Sequence, residues 1–149
     1  MAYQAKRKKR FIEDFELIDE KGSLFKALRV ELDADDMVTK INRKYTALCQ
    51  ALKETTEIKR KSQSNEEIQG CVETLGNAVV QLFEAVFGVE DAKIIVEFYD
   101  NRYIEMCNEV VPFITKVVIP RLYDIRKQNM KNRLKPYNRH RGRKNVFSD

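Results

Sequence analysis

The hydrophobic period of this chain changes once, between Leu32 and Asp33, and that change divides the fold into two kinds of structure. Before it, apolar residues alternate. Phe11, Phe15 and Leu17 fall on one side of a first run, and Leu24, Leu28, Val30 and Leu32 share one side of a second, as in strands with one buried face. Between the runs stands Asp19-Glu20-Lys21-Gly22, where Gly22 is free to take a positive φ, so a β-hairpin is predicted from about Phe11 to Leu32. Glu13 and Lys26 interrupt the alternation and are expected to face each other across an exposed end of the hairpin.

After Leu32 the period is that of a helix. Asp33 is placed to cap it, Asp35 and Asp36 suit the positive end of its dipole, and Met37, Ile41, Tyr45, Leu48 and Leu52 follow at helical spacing to an end near Lys61. Polar residues from Lys61 to Asn65 separate this helix from the next. Ser64 and Glu67 form a capping-box pattern, and Ile68, Val72, Leu75, Val79, Leu82, Phe83, Val86 and Phe87 make a stripe that widens toward Gly88, the predicted stop. A third helix is expected from Glu90 and Asp91 through Ile94, Phe98, Tyr103, Met106, Val110, Ile114 and Val118. Pro112 and Pro120 should kink or restart it before it continues through Leu122 and Ile125 and fades by about Pro136. The pattern therefore predicts an α+β, mostly α fold: an N-terminal β-hairpin followed by a helical bundle of three or four helices. One domain over residues 11–135 is expected between basic, flexible tails at 1–10 and 136–149, because the tails hold too few apolar residues to order themselves.

Charge follows the same division. Lys6 to Arg10 contribute +5, and Arg126 to Asp149 hold nine basic residues and one acid, so a total of +5 leaves −8 on the body from Phe11 to Ile125. An acidic domain between basic ends points to binding. No apolar run approaches the roughly 18 residues a membrane helix needs, and the basic start lacks a following apolar stretch, so a cytoplasmic protein is expected. Cys49, Cys71 and Cys107 are odd in number and widely spaced, which suits reduced thiols rather than a metal or redox motif.

Catalytic chemistry finds little support. His140 is the one histidine, which removes the common triads and histidine metal sites, and the scattered glycines form no phosphate-binding loop. Glu97, Asp100 and Glu105 read as a solvated face interleaved with Arg102. Neither an enzyme nor a cofactor is expected. Phe83, Phe87, Phe98, Tyr99, Tyr103 and Phe113 recur at helical spacing on two successive helices, and Phe83, Phe87, Phe98 and Tyr103 are expected to join those helices across Gly88. The same six aromatics are the candidate partner-binding surface if part of the cluster stays uncovered. In the C-terminal tail, Arg139, Arg141, Arg143 and Lys144 can neutralise phosphates and Tyr137 and His140 can stack on bases, but no nucleic-acid-binding fold accompanies them. Such a tail equally attracts an acidic protein surface, including another copy of this chain.

The run from Gln81 to Pro120, QLFEAVFGVEDAKIIVEFYDNRYIEMCNEVVPFITKVVIP, resembles small proteins of tailed bacteriophages and prophages of Gram-positive bacteria that look like tail assembly chaperones. The matching elements are Phe83, Phe87-Gly88, Glu90-Asp91, Glu97-Phe98-Tyr99, Tyr103, Glu105-Met106 and Pro112-Phe113-Ile114. The resemblance implies a protein of the bacterial host's cytoplasm. Such a protein would coat the long tape-measure protein and keep it soluble until tail-tube subunits replace it, with self-association as a further expectation. It carries over no residue-level binding site. The competing classes are a nucleic-acid-associated or regulatory phage protein that binds through its tails, and a structural component of the finished particle.

Overall fold

The computed structural model describes residues 2–61 and 64–131 and has the expected α+β, mostly helical architecture. β1 (Phe11–Ile18) and β2 (Leu24–Leu32) form a two-stranded antiparallel sheet. The pairs Phe11 with Leu32 and Phe15 with Leu28 share its inner face, where Phe11, Leu17, Leu28, Val30 and Leu32 are buried. Asp19 closes the turn by accepting the backbone N–H groups of Lys21 and Ser23 on Oδ1, each at 2.9 Å, while Gly22 takes φ +83°. The register is irregular near that turn: Leu17 pairs with Lys26 but Ile18 pairs with Leu24, so Phe25 is the extra residue of a bulge. This moves Leu24 off the buried side expected for it, and it is 56% exposed. Glu13 and Lys26 do not face each other either. Glu13 lies opposite Val30 and pairs with the Arg121 guanidinium, which also sits 4.8 Å above the Phe11 ring.

The first helix, α1 (Ala34–Lys61), is capped as its sequence indicates, with Asp33 Oδ1 accepting the Asp35 N–H at 2.9 Å. Its buried stripe runs through Ala34, Val38, Ile41, Leu48, Ala51 and Thr55, leaving Met37, Tyr45 and Leu52 on the margin. Ser62 and Gln63 of the following connection lie outside the described residues. α2 (Asn65–Phe87) packs against α1, and the widening of its apolar stripe appears as burial concentrated from Leu75 to Phe87. Buried Thr55 spans the pair by donating to the Cys71 carbonyl at 3.4 Å. Gly88 ends α2 at φ +88° and donates its N–H to the Glu84 carbonyl, a backbone that strains any residue with a side chain.

The single third helix expected from the apolar spacing is divided. α3 (Val89–Phe98) stops at a turn in which Asp100 and Asn101 take φ +52° and +60°, and α4 (Tyr103–Glu109) follows. Asp and Asn tolerate the left-handed region better than other side-chain-bearing residues, so these two positions were the available signal. Apolar spacing that runs on from Tyr99 to Tyr103 conceals it. The chain breaks again at Val110, and α5 (Val111–Phe113) restarts with Pro112 in its first turn.

Pro120 acts one turn earlier than its position. It cannot donate to the Lys116 carbonyl, and the helix widens to π over Ile114–Val118, with the Ile119 N–H reaching the Ile114 carbonyl. Helix then continues over residues 119–131. This last segment crosses the base of the hairpin, where the buried Asn129 amide accepts the Lys9 N–H at 3.1 Å and donates to the Lys9 carbonyl at 3.0 Å. Residues 2–10 have no regular structure and are exposed, yet Lys9 is held on both backbone groups.

Candidate functional site

The six candidate aromatics separate into an inner and an outer set. Phe83 and Phe87 are buried on α2, and with Phe15 and Phe113 they form a ring cluster whose centroids lie 4.8 to 6.0 Å apart. This cluster ties α2 to β1 and α5. Tyr103 instead lies over the backbone of Gly76, where a Cβ would fall 2.5 Å from its ring. Gly76 is a residue that sequence reasoning misses, because a lone helical glycine gives no sign of what crosses it.

Phe98 does not join the inner rings across Gly88. Half-buried at the end of α3, it packs 5.1 Å from Phe25 and 4.9 Å from Tyr99. Phe25 is 59% exposed, and Ile18 and Leu24 beside it in the hairpin are also exposed. The bulge in β2 brings Phe25 to Phe98. Alternation alone could not show the bulge, which takes Leu24 out of the inner face that Leu17 and Leu28 keep buried.

Below this aromatic rim, the hairpin turn and the α3–α4 turn enclose a groove of about 420 Å³. Phe98, Tyr99 and Ile18 supply its apolar wall. Its charged lining is five carboxylates, Asp19, Glu20, Asp100, Glu105 and Glu109, against Lys21 and Arg102. Glu105 is 3.8 Å from Arg102, whereas Glu20, Asp100 and Glu109 have no ion-pair partner among the described residues. Burial, and then the charges of Glu109 and Glu105, raise the Tyr99 hydroxyl above the usual tyrosine range. The groove thus has a negative potential and an aromatic side, which suits a cationic segment with an apolar residue. Its carboxylates are spread along the lining, and no group of three or more metal-ligating side chains converges among the described residues.

The thiols offer no activated nucleophile at neutral pH in Cys107, which burial, and then the charge of Cys49, push up to about 11. Cys49 is exposed and Cys71 half-buried, both as free thiols. Among the described residues no helix is long and apolar enough to cross a membrane. Arg139, Arg141, Arg143 and Lys144, with Tyr137, His140 and the expected fading of the helix near Pro136, lie outside the described residues. No protein-family model, curated protein or solved structure matches this chain.

Proposed function

We propose that this protein is a phage tail assembly chaperone, acting in the host cytoplasm to bind and solubilise the tape-measure protein until tail-tube subunits displace it. The observation that carries the reading is an uncovered apolar rim, Phe25, Phe98 and Tyr99 with Ile18 and Leu24, part of which lies in the Gln81 to Pro120 segment of the resemblance. An amphipathic helix places anchors at positions three and four apart, and a rim of aromatic and aliphatic side chains accepts such anchors without catalysis. Of the six aromatics, Phe98 and Tyr99 are then the partner-binding residues, while Phe83, Phe87 and Phe113 hold the surface in place.

Co-expression tests this directly. A tape-measure protein that is insoluble alone should become soluble with this chain, and Phe25→Ser together with Phe98→Ser should remove that effect while the variant stays folded. A second reading, a nucleic-acid-associated protein, is favoured by one feature: the Lys9–Asn129 contact brings the basic N-terminal segment beside Arg126, Lys127 and Lys131. Tight, sequence-selective binding of DNA or RNA, with no effect on tape-measure solubility, would select it.

A further inference from the structure

From the two charged ends of the molecule we infer that the acidic groove receives the N-terminal segment of a second copy of this chain, so that copies associate head to tail. This contact does not depend on the tape-measure reading. The segment Ala2-Tyr3-Gln4-Ala5-Lys6-Arg7 is exposed throughout, Tyr3 at 95%, and Lys6 and Arg7 have no ion-pair partner among the described residues. It carries one aromatic ring and two available cations. The groove presents the complement: the Phe25 and Phe98 rings at its rim and the carboxylates of Glu20, Asp100 and Glu109 along it.

Reach excludes the same copy. Lys9 is fixed to Asn129 at the base of the hairpin, and the groove opens at the turn, beyond the eight residues of β1, about 27 Å away. Three residues from Lys9 back to Lys6 extend at most about 11 Å, and the lysine side chain adds roughly 6 Å. The cations therefore meet only another molecule's groove. Because donor and acceptor surfaces differ, each copy can give one contact and receive one, which closes as a reciprocal dimer or a larger ring, or runs on as an open chain.

Sedimentation velocity on the full-length protein is the test. At low ionic strength the wild type should form dimers or larger species as concentration rises, and these should dissociate near 1 M salt, where the Debye length is about 3 Å. Lys6→Glu/Arg7→Glu and Glu20→Lys/Glu109→Lys change exposed side chains only, so each should melt like the wild type. Each should weaken self-association by at least about tenfold. Mixing the two variants should restore association, since the unchanged N-terminal segment of the second fits the unchanged groove of the first. Head-to-tail association is overturned if the wild type stays monomeric, if Lys6→Glu/Arg7→Glu associates normally, which would assign the groove to the 132–149 segment or to an apolar contact, or if the mixture stays monomeric. A monomer whose Lys6 and Arg7 instead retain a single-stranded oligonucleotide assigns those cations to nucleic acid.

Discussion

Gly76 and Tyr103 meet where α2 passes α4, and the 2.5 Å that would separate an alanine Cβ from the ring makes Gly76→Ala an overpacking substitution. Overpacking costs about 1–3 kcal/mol, while alanine in a helix interior returns about 1 kcal/mol, so the substitution should destabilise on its own. With Tyr103→Ala also present, the clash is gone and the same change should become stabilising. Denaturant titration of the four variants reads that change of sign. Phe83 and Phe98 separate in a similar way. Fully buried Phe83 should cost about 3–5 kcal/mol on truncation to alanine, whereas half-buried Phe98 should cost distinctly less and act mainly on partner binding. Equal losses in thermal unfolding would contradict this division. Cys107 sets a pH dependence: its thiol pKa is raised from 9.0 to about 11, so between those values the native state keeps a proton that the unfolded state releases. Stability contributed by this group is complete below about pH 9 and falls as pH rises toward 11. Cys107→Ser should flatten that part of the profile in urea titrations.

At the scale of elements, the last helical segment is positioned by polar contacts as well as by Leu122 and Ile125. Arg121 reaches Glu13 and Phe11 on β1, and Asn129 holds both backbone groups of Lys9, so one helix locks the base of the hairpin at two points two turns apart. The π turn before Pro120 sets the facing of both residues, because each π turn adds a residue to the helical repeat and rotates the rest of the helix about its axis. Asn129→Ala should cost about 1–3 kcal/mol for two lost hydrogen bonds. It should also speed tryptic cleavage at Lys8, Lys9 and Arg10. A variant with unchanged cleavage would mean that the segment is held by its charges on Asp35 and Glu31 instead.

For the whole molecule, the two chain ends contribute differently to folding. Residues Pro136 to Asp149 carry like charge and few apolar groups, and their deletion is expected to leave the melting temperature nearly unchanged. Deleting Met1 to Arg10 removes the partner of buried Asn129 and should lower it by several degrees, since about 1 kcal/mol corresponds to roughly 3–6 °C in a domain of this size. Calorimetry on both truncations distinguishes an inert end from an anchored one. The charge layout, −8 on the body between basic ends, also takes on direction in three dimensions: cations gather at the hairpin base and carboxylates at its tip.

The alternation up to Leu32, the Asp33 cap, the long amphipathic stretch to Lys61 and Gly88 as a stop are local signals. Each depends on residues within a turn or two of one another, and each was legible from the sequence. Tertiary structure alone decided where those elements cross. The period-two pattern placed Leu24 with Leu28, but a bulge at Phe25 took it out of the buried face and exposed it. Helical spacing through Tyr99 and Tyr103 hid a left-handed turn at Asp100 and Asn101, and that turn forms one wall of the groove. The six aromatics were identified together because spacing reports only that a face is apolar. Their division into a buried cluster and an open rim, like the reach of Asn129 to Lys9 across 120 residues of chain, is set by which surfaces the packed helices leave uncovered.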